Sequence, residues 1–340
     1  MWTPLKEWST FIGRRLLYLL VVLLGVSSIT FAVTHFLGNP VYLLVGVQTN
    51  QEIIDNMMNQ LGLDRPLWQQ YLAYVGNVAR GNLGVSRHTF NPVAFDIQHR
   101  LPATVELATA ALILGVLWTV PLGILSARRK GSSLDRFCQT LVEIGVAVPS
   151  FWLGLLLIYL LFVQFPLVPA PLGRLDANIK PPPGVTGLYT VDSLLAGDMV
   201  AFRSAVGHLL LPAFVLAFTS APRILQITRN TMIDILGGDY IRAARSYGLR
   251  DHTVTRYALK NALPPILTMI AMTYGWTLGG TVLIETVFAW PGLGLYAVDA
   301  MNHSDYEPIV GVVLLSAVVY VVIYLITDIF HFAIDPRLRT

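Results

Sequence analysis

The chain has 340 residues, of which 54% are hydrophobic and only 13% are charged, whereas soluble domains carry about 25% charged residues. This composition excludes an ordinary soluble domain and predicts an integral membrane protein built from α-helices. The formal net charge of +3 is too small to favour nucleic acid as a partner, and the single cysteine, Cys138, excludes an intrachain disulfide and a cysteine-based metal cage.

Six apolar stretches are long enough to cross the hydrocarbon core of a bilayer, which takes about 20 helical residues. An even number of spans puts both termini on the same side of the membrane. The first stretch is too long for the apolar region of a cleaved signal peptide and lacks a small-x-small cleavage site, which predicts a retained signal anchor. The predicted spans are 16–37, 104–127, 138–164, 206–228, 263–289 and 308–332.

Lysine and arginine are divided unequally between the two sides of these spans. One side carries 16 of the 23 basic residues and the other carries seven. The positive-inside rule therefore places the N-terminal segment 1–15, the loop 229–260 and the C-terminal segment 333–340 in the cytoplasm. The sequence predicts a multi-pass protein of the cytoplasmic membrane with both termini cytoplasmic.

Two segments are expected outside the membrane. The first, 38–103, contains a helix-like stretch from 51 to 60 stopped by Gly62, and Pro66 can begin a second helix that continues to Ala79. This pattern predicts a small cap between the first two spans. The second segment, 165–205, is rich in proline and glycine, which predicts extended or turn structure.

The loop 229–260 contains a short amphipathic pattern. At 100° per residue, one helix face would present alanine and tyrosine, and the opposite face would present arginine and serine. Gly248 then ends the helix, because glycine adopts the left-handed conformation without steric cost. Taken alone, the pattern fits a solvated connector helix, and its alanine and tyrosine face would also suit docking in a groove on a partner. The first face comprises Tyr240, Ala243, Ala244 and Tyr247, and the second Arg242, Arg245 and Ser246.

Ionisable residues occur in or near the ends of the spans, where burying a charge is costly. Each is a candidate for a polar pathway or a gate, and the alternative is pairing between helices or snorkelling to the interface. Glu285 is one of these candidates, while Gly275 and Gly279 of the same span would allow close approach of another helix. The full ionisable set is Glu106, Glu143, Glu285, Asp328 and His331.

No catalytic or nucleotide-binding motif is visible in the sequence. It lacks the GxxxxGK[ST] phosphate cradle, the HExxH zinc helix and the GxSxG nucleophile turn. The sequence therefore predicts a membrane subunit that is not an enzyme. If ATP drives the protein, another chain must bind it.

The ordered motifs of this chain resemble those of ABC-importer permeases of the dipeptide, oligopeptide and nickel branch. Arg242-Ala243-Ala244 and Gly248 stand where this family has its Glu-Ala-Ala coupling loop, with arginine in place of glutamate. Further departures are Ser246-Tyr247, Tyr257 and Lys260. The resemblance covers nearly the whole chain through LGLDRPLWQQY (61–71), GNLGVS (81–86), RLPATVELA (100–108), YIRAARSYGL (240–249), ALKNALPP (258–265), ETVFAWPGLG (285–294) and DPRLR (335–339).

This resemblance implies the fold of a type I ABC importer permease and a mechanism of alternating access. It implies a second, homologous permease, two cytoplasmic ATPases that hold ATP and Mg²⁺, and an extracytoplasmic solute-binding protein as partners. No cofactor is expected in this chain itself. The resemblance also implies that the fifth span, with Glu285, Gly275 and Gly279, borders the translocation path, and that Tyr240 to Gly248 contact an ATPase.

Two other classes of function remain open at this point. An ion-coupled secondary transporter would need no ATPase and predicts inverted repeats and helices interrupted near the midplane. An intramembrane enzyme is disfavoured by the missing motifs. Within the ABC importers, peptides are the expected solute, and nickel or an oligosaccharide is the alternative.

Overall fold

The computed structural model describes residues 3–36, 52, 58–59 and 64–334. Helices form nearly all of its regular structure, as the apolar composition predicts. In chain order they are α1 Thr3–Phe36, α2 Leu67–Ala79, α3 Val93–Arg128, α4 Ser133–Ala147, α5 Ser150–Ile158, α6 Tyr189–Leu195, α7 Met199–Ser220, α8 Pro222–Leu236, α9 Asp239–Ser246, α10 Asp251–Val287, α11 Leu293–Asn302 and α12 Tyr306–Ile334.

Within the described residues, five helices are long and apolar enough to cross a membrane, and a bent pair supplies a sixth candidate span. The five single spans are Gly13–Val33, Val93–Arg128, Met199–Ser220, Asp251–Val287 and Tyr306–Thr327. The prediction of an all-α membrane protein with about six spans is confirmed.

The third predicted span, 138–164, is not one straight helix. It consists of α4 and α5, which meet at an angle of 97°. Val148 leaves the helical region with a φ of −80° and a ψ of 123°, because the ring of Pro149 disfavours the helical conformation in the residue before it. A π-helical turn, Tyr159–Gln164, extends α5.

The fourth predicted span, 206–228, is also divided by a proline. α7 ends at Ser220, and α8 begins with Pro222 at its first position. Proline has no N–H to donate but fits the first turn of a helix, where that donor has no partner within the helix. The chain therefore changes from α7 to α8 without a long loop.

Several other boundaries differ from the expected ones. α3 begins at Val93 and α10 begins at Asp251, each about a dozen residues before the predicted span. The segment 165–205 contains α6 and the start of α7, because the Asp198 carboxylate accepts hydrogen bonds from the N–H groups of Val200 and Ala201 at 3.0 and 2.9 Å. The terminal motif 335–339 and most of the stretch 51–60 lie outside the described residues.

The chain divides into two compact units, residues 1–98 with 299–321 and residues 99–298 with 322–340. In the first unit, the buried Asp305 carboxylate accepts hydrogen bonds from the Ser86 hydroxyl at 2.7 Å and the Arg87 N–H at 2.7 Å. In the second unit, Leu107, Leu216 and Trp290 belong to one buried apolar cluster. All the candidate site residues named above belong to the second unit.

Candidate functional site

The short helix α9 is held by one buried side chain. Ile241 is fully buried in a cluster with Met232 of α8 and with Val254 and Ala258 of α10. The isoleucine lies between the two faces identified from the sequence, so the pattern of alanines and arginines gave no signal of its role. An isolated helix of eight residues is unstable in water, and we conclude that this contact holds α9 in place.

Gly248 ends α9 as the sequence predicts. Its φ is 76°, in the left-handed region. The Gly248 N–H donates to the Arg245 carbonyl at 2.9 Å, and the Leu249 N–H donates to the Ala244 carbonyl at 3.3 Å. This pair of bonds is the Schellman arrangement, which satisfies carbonyls that the helix end would leave free.

The face of α9 that carries tyrosine and alanine is largely uncovered in this chain. Tyr240 is 49% exposed and Tyr247 is 86% exposed. Ala243 is exposed and Ala244 is half-buried. The helix therefore presents two aromatic rings with a small alanine surface between them, a shape suited to insertion in a groove.

The polar face of α9 is exposed as well. Arg242 forms an ion pair with Asp239 one turn earlier. Arg245 lines a separate cleft of about 400 Å³ together with Arg128 and Lys130. Because Arg242 and Arg245 are exposed to solvent, they contribute less than Ile241 to holding α9 in place.

A buried ion pair supports the helix that precedes α9. The Asp135 carboxylate of α4 accepts hydrogen bonds from Arg229 Nε of α8 at 2.6 Å and from Arg229 Nη2 at 2.9 Å. The Ser126 hydroxyl and the Gly131 N–H donate to the same carboxylate at 2.5 and 2.8 Å. The hydrogen bonds with Asp135 raise the pKa of the Arg229 guanidinium. α3, α4 and α8 are thereby joined at one charged centre.

Glu285 is fully buried and is held by neighbours from distant parts of the sequence. One carboxylate oxygen accepts the Thr104 hydroxyl proton at 2.7 Å, and the other accepts the N–H groups of Gly294 and Leu295 at 2.7 and 3.1 Å. A carboxylate at the first turn of α11 is favourable because free N–H groups point there. Glu285 thus ties the ends of α10 and α11 to α3.

The glycines of α10 have different surroundings. Gly275 is buried, whereas Gly279 is exposed, and a Cβ added at Gly279 would meet none of the neighbouring described residues within 4 Å. Among the described residues, Gly279 therefore supports no close helix contact. Its smooth surface is open to a second molecule.

Glu106 is paired with Arg174, which lies in irregular structure and not on a second helix. It binds Arg174 Nη2 at 2.5 Å, and both side chains are about 5% exposed. The hydroxyl and the N–H of Thr190 donate to its other oxygen at 2.7 and 2.8 Å. This network fastens the segment 165–198 onto α3.

The same segment contains a second anchored carboxylate, Asp192. Burial alone would raise the pKa of Asp192, but hydrogen bonds from the Thr186 hydroxyl and from the N–H groups of Thr186 and Gly187 outweigh it and hold the pKa below its usual value. The side chain is therefore ionised at neutral pH. Asp328 and His331 have side chains outside the described part of the chain.

An open cleft of about 330 Å³ lies where both interrupted helices break. We call it the kink cleft. Glu285, Gly275 and Gly279 do not line it. The residues that line it include Ser220, Arg223, Met269, Met272, Trp276 and Thr277.

Two family models together match almost the whole chain. The model described as "Binding-protein-dependent transport system inner membrane component" matches residues 119–340. The model of the corresponding N-terminal region matches residues 9–108.

Curated relatives match over nearly their full length. The probable D,D-dipeptide transport system permease protein of Escherichia coli is 40% identical over 97% of each chain. The dipeptide transport system permease protein of the same species is 37% identical over 97% of this chain and 98% of the relative. The oligopeptide transport system permease protein of Bacillus subtilis is 34% identical over 97% of this chain.

A solved structure shares the fold. It is a chain of the MetNI methionine ABC transporter in inward-facing conformations, with a TM-score of 0.51 and 19% identity. The alignment covers 68% of this chain and 93% of that chain.

These findings define the class of the protein. The chain is a helical membrane protein. It belongs to the family of inner membrane components of binding-protein-dependent transport systems and is an ABC importer permease. The helix break at Val148 and Pro149 also fits a secondary transporter, but the family match decides between the two classes.

Proposed function

We propose that this chain forms half of the transmembrane pathway of an ATP-driven importer of small peptides. The support for peptides as cargo comes from relatives named for dipeptides and oligopeptides, which are 34–40% identical to this chain. The chain would pair with a second, homologous permease. Two cytoplasmic ATPases would hold ATP and Mg²⁺, and an extracytoplasmic binding protein would deliver the peptide.

The observation that carries this proposal is that α9 has an exposed face and is anchored to α8 and α10 through a buried side chain. The ATPase must signal by contact, because the sequence has no phosphate-binding loop. α9 is anchored through Ile241 to α8 and α10, so a push on its exposed face moves both helices. ATP-driven closure of the ATPases would in this way reorient the spans and alternate the access of the pathway.

The decisive experiment places a charge on the exposed face of α9. We expect Ala243→Glu to abolish stimulation of ATP hydrolysis by the loaded binding protein, because desolvating an unpaired charge in a groove is costly. Ser246→Glu, on the opposite face, is the matched control and should retain stimulation. Full stimulation and transport in a normally inserted Ala243→Glu variant would show that α9 is only a connector.

The orientation of the chain is tested by reporter fusions. A reporter that is active only outside the cytoplasm should work after Gly81 or Gly187 and should be silent after Ser132 or Gly248, because the basic residues favour the cytoplasmic side. Activity after Ser132 would reverse the proposed topology.

Pairing with the second permease is tested at Gly279. A leucine there would fill the open surface of α10 and hold a neighbouring helix away. Gly279→Leu should therefore reduce co-purification of the second permease more than Leu278→Ala does. Equal recovery from both variants would remove the fifth span from the proposed interface.

The cargo itself is identified by the ligand that co-purifies with the binding protein. A peptide would support the proposal. Nickel or an oligosaccharide would retain the importer assignment and replace the cargo.

A further inference from the structure

The kink cleft contains one charged side chain with no carboxylate neighbour. Arg223 lies at the start of α8, and its guanidinium carbon is 5.8 Å from the centre of the Trp276 ring. Among the described residues no acidic side chain lines the cleft or forms an ion pair with Arg223. The positive end of the α8 dipole lies at the same place. The local potential therefore favours an anion.

Two of the other polar groups of the kink cleft are hydroxyls whose protons are already used. The Ser220 hydroxyl donates to the Leu216 carbonyl at 2.6 Å, and the Thr277 hydroxyl donates to the Thr273 carbonyl at 2.7 Å. Their oxygens keep free lone pairs and can accept hydrogen bonds from a ligand. The cleft thus offers one cation and several acceptors, the complement of a molecule that carries an anion and N–H donors.

The apolar part of the kink cleft is adaptable. Met269, Met272 and Trp276 line it, and methionine fills spaces of varied shape because its chain is unbranched and polarisable. The volume of about 330 Å³ lies at the lower end of the range for small-molecule sites, about 300–1,000 Å³. These properties suit a small ligand with variable side chains.

We propose that the kink cleft is a transit site for the peptide, in which Arg223 binds the C-terminal carboxylate. Ser220 and Thr277 accept hydrogen bonds from the ammonium group and amide N–H groups, and the methionines accommodate the peptide side chains. A bidentate guanidinium–carboxylate pair would fix the orientation of the peptide. This inference rests on the proposed function, because it names the part of the cargo that the permease itself contacts.

The test measures peptide binding to the detergent-solubilised complex of the permease and its co-purifying subunits, without the binding protein. The probes are radiolabelled dialanine and its C-terminal amide. Loss of a charged hydrogen bond costs about 10- to 100-fold in affinity, so the wild-type complex should prefer dialanine to the amide by about tenfold or more. Arg223→Ala should weaken dialanine binding by the same factor and leave the amide unaffected.

Two further variants control this measurement. Arg136→Ala removes an exposed arginine of α4 that does not line the cleft and should bind both probes as the wild type does. Arg223→Lys keeps the charge without the planar fork and should recover part of the preference for dialanine.

Three outcomes would overturn the transit site. The first is equal binding of dialanine and its amide by the wild-type complex, and the second is an unchanged preference in Arg223→Ala. The third is loss of the second permease from the Arg223→Ala complex, since that would show that the partner chain, and not a peptide, occupies the cleft. Stimulation of wild-type ATP hydrolysis by the loaded binding protein tests the proposed function separately, because it does not depend on either probe.

Discussion

Replacing Ile241 with alanine should release α9 from its contact with α8 and α10. The side chain is fully buried, and the substitution removes three carbon atoms at about 0.8 kcal/mol each, or about 2.4 kcal/mol before any cavity is counted. The walls of the site belong to the long helices α8 and α10 and cannot close around the space, so the cost falls within the range of about 2–5 kcal/mol for such changes.

The expected consequence is undocking of α9 without unfolding of the spans. A loss of about 2.4 kcal/mol raises the undocked population by roughly fifty-fold. Since eight residues are too few for a stable isolated helix, the undocked segment loses its helical structure. Hydrogen exchange of the amides from 241 to 248 should accelerate by a similar factor, and stimulated ATP hydrolysis should fall.

Comparison with two other variants separates the anchor from the docking face. Ile241→Val should cost about 0.5–1.5 kcal/mol and retain most coupling, whereas Ala243→Glu should block coupling with slow exchange in α9. The reasoning fails if Ile241→Ala retains both slow exchange and full stimulation. In that case Ile241 would not hold the helix.

Three other substitutions test two buried contacts and the end of α9. Asp135→Asn leaves Arg229 without its counter-ion and should destabilise the protein by about 3 kcal/mol in thermal unfolding. Asp234→Asn, on the exposed side of α8, should have no effect. Equal unfolding temperatures of the two variants would contradict the role of the ion pair. Glu285→Gln turns an NH₂ group toward hydrogen-bond donors and should reduce stability by about 1–3 kcal/mol. Proteolysis between 289 and 298 should therefore be faster. Unchanged proteolysis with lost transport would indicate that Glu285 acts as a gate instead. Gly248→Val should accelerate hydrogen exchange of the α9 amides, because a β-branched residue in the left-handed conformation costs about 1–2 kcal/mol although the space for its Cβ is free. Gly248→Asn should accelerate the exchange less. The reverse order would exclude backbone strain as the cause.

Local chemistry made much of the fold predictable from the sequence. Apolar length located the spans, and Gly248 marked the end of α9 because only its local conformation mattered. Pro149 was visible in the sequence, but the 97° between α4 and α5 depends on the helices that pack against them. The angle between two such segments is a property of packing and not of the proline alone.

The contacts of the candidate site were less accessible, because they join distant positions. Thr104 and Glu285 are 181 residues apart, and backbone N–H groups of α11 complete the environment of the carboxylate. Ile241 lies between the two faces of α9, and only its contact with Met232 and Val254 shows that it anchors this helix. Sequence patterns report the period of one helix and carry no information about its neighbours.

The prolines inside α10 divide that helix into two mechanical parts. Pro264 and Pro265 lie inside α10, and neither can donate the backbone hydrogen bond that stiffens a helix. With a rise of 1.5 Å per residue, the part before them measures about 20 Å and the part after them about 33 Å, close to the thickness of a bilayer core, about 30 Å. α10 thus consists of a short arm and a membrane-spanning arm joined by a compliant segment. A force applied to the short arm bends the helix there first, so small displacements are absorbed and only larger ones tilt the spanning arm.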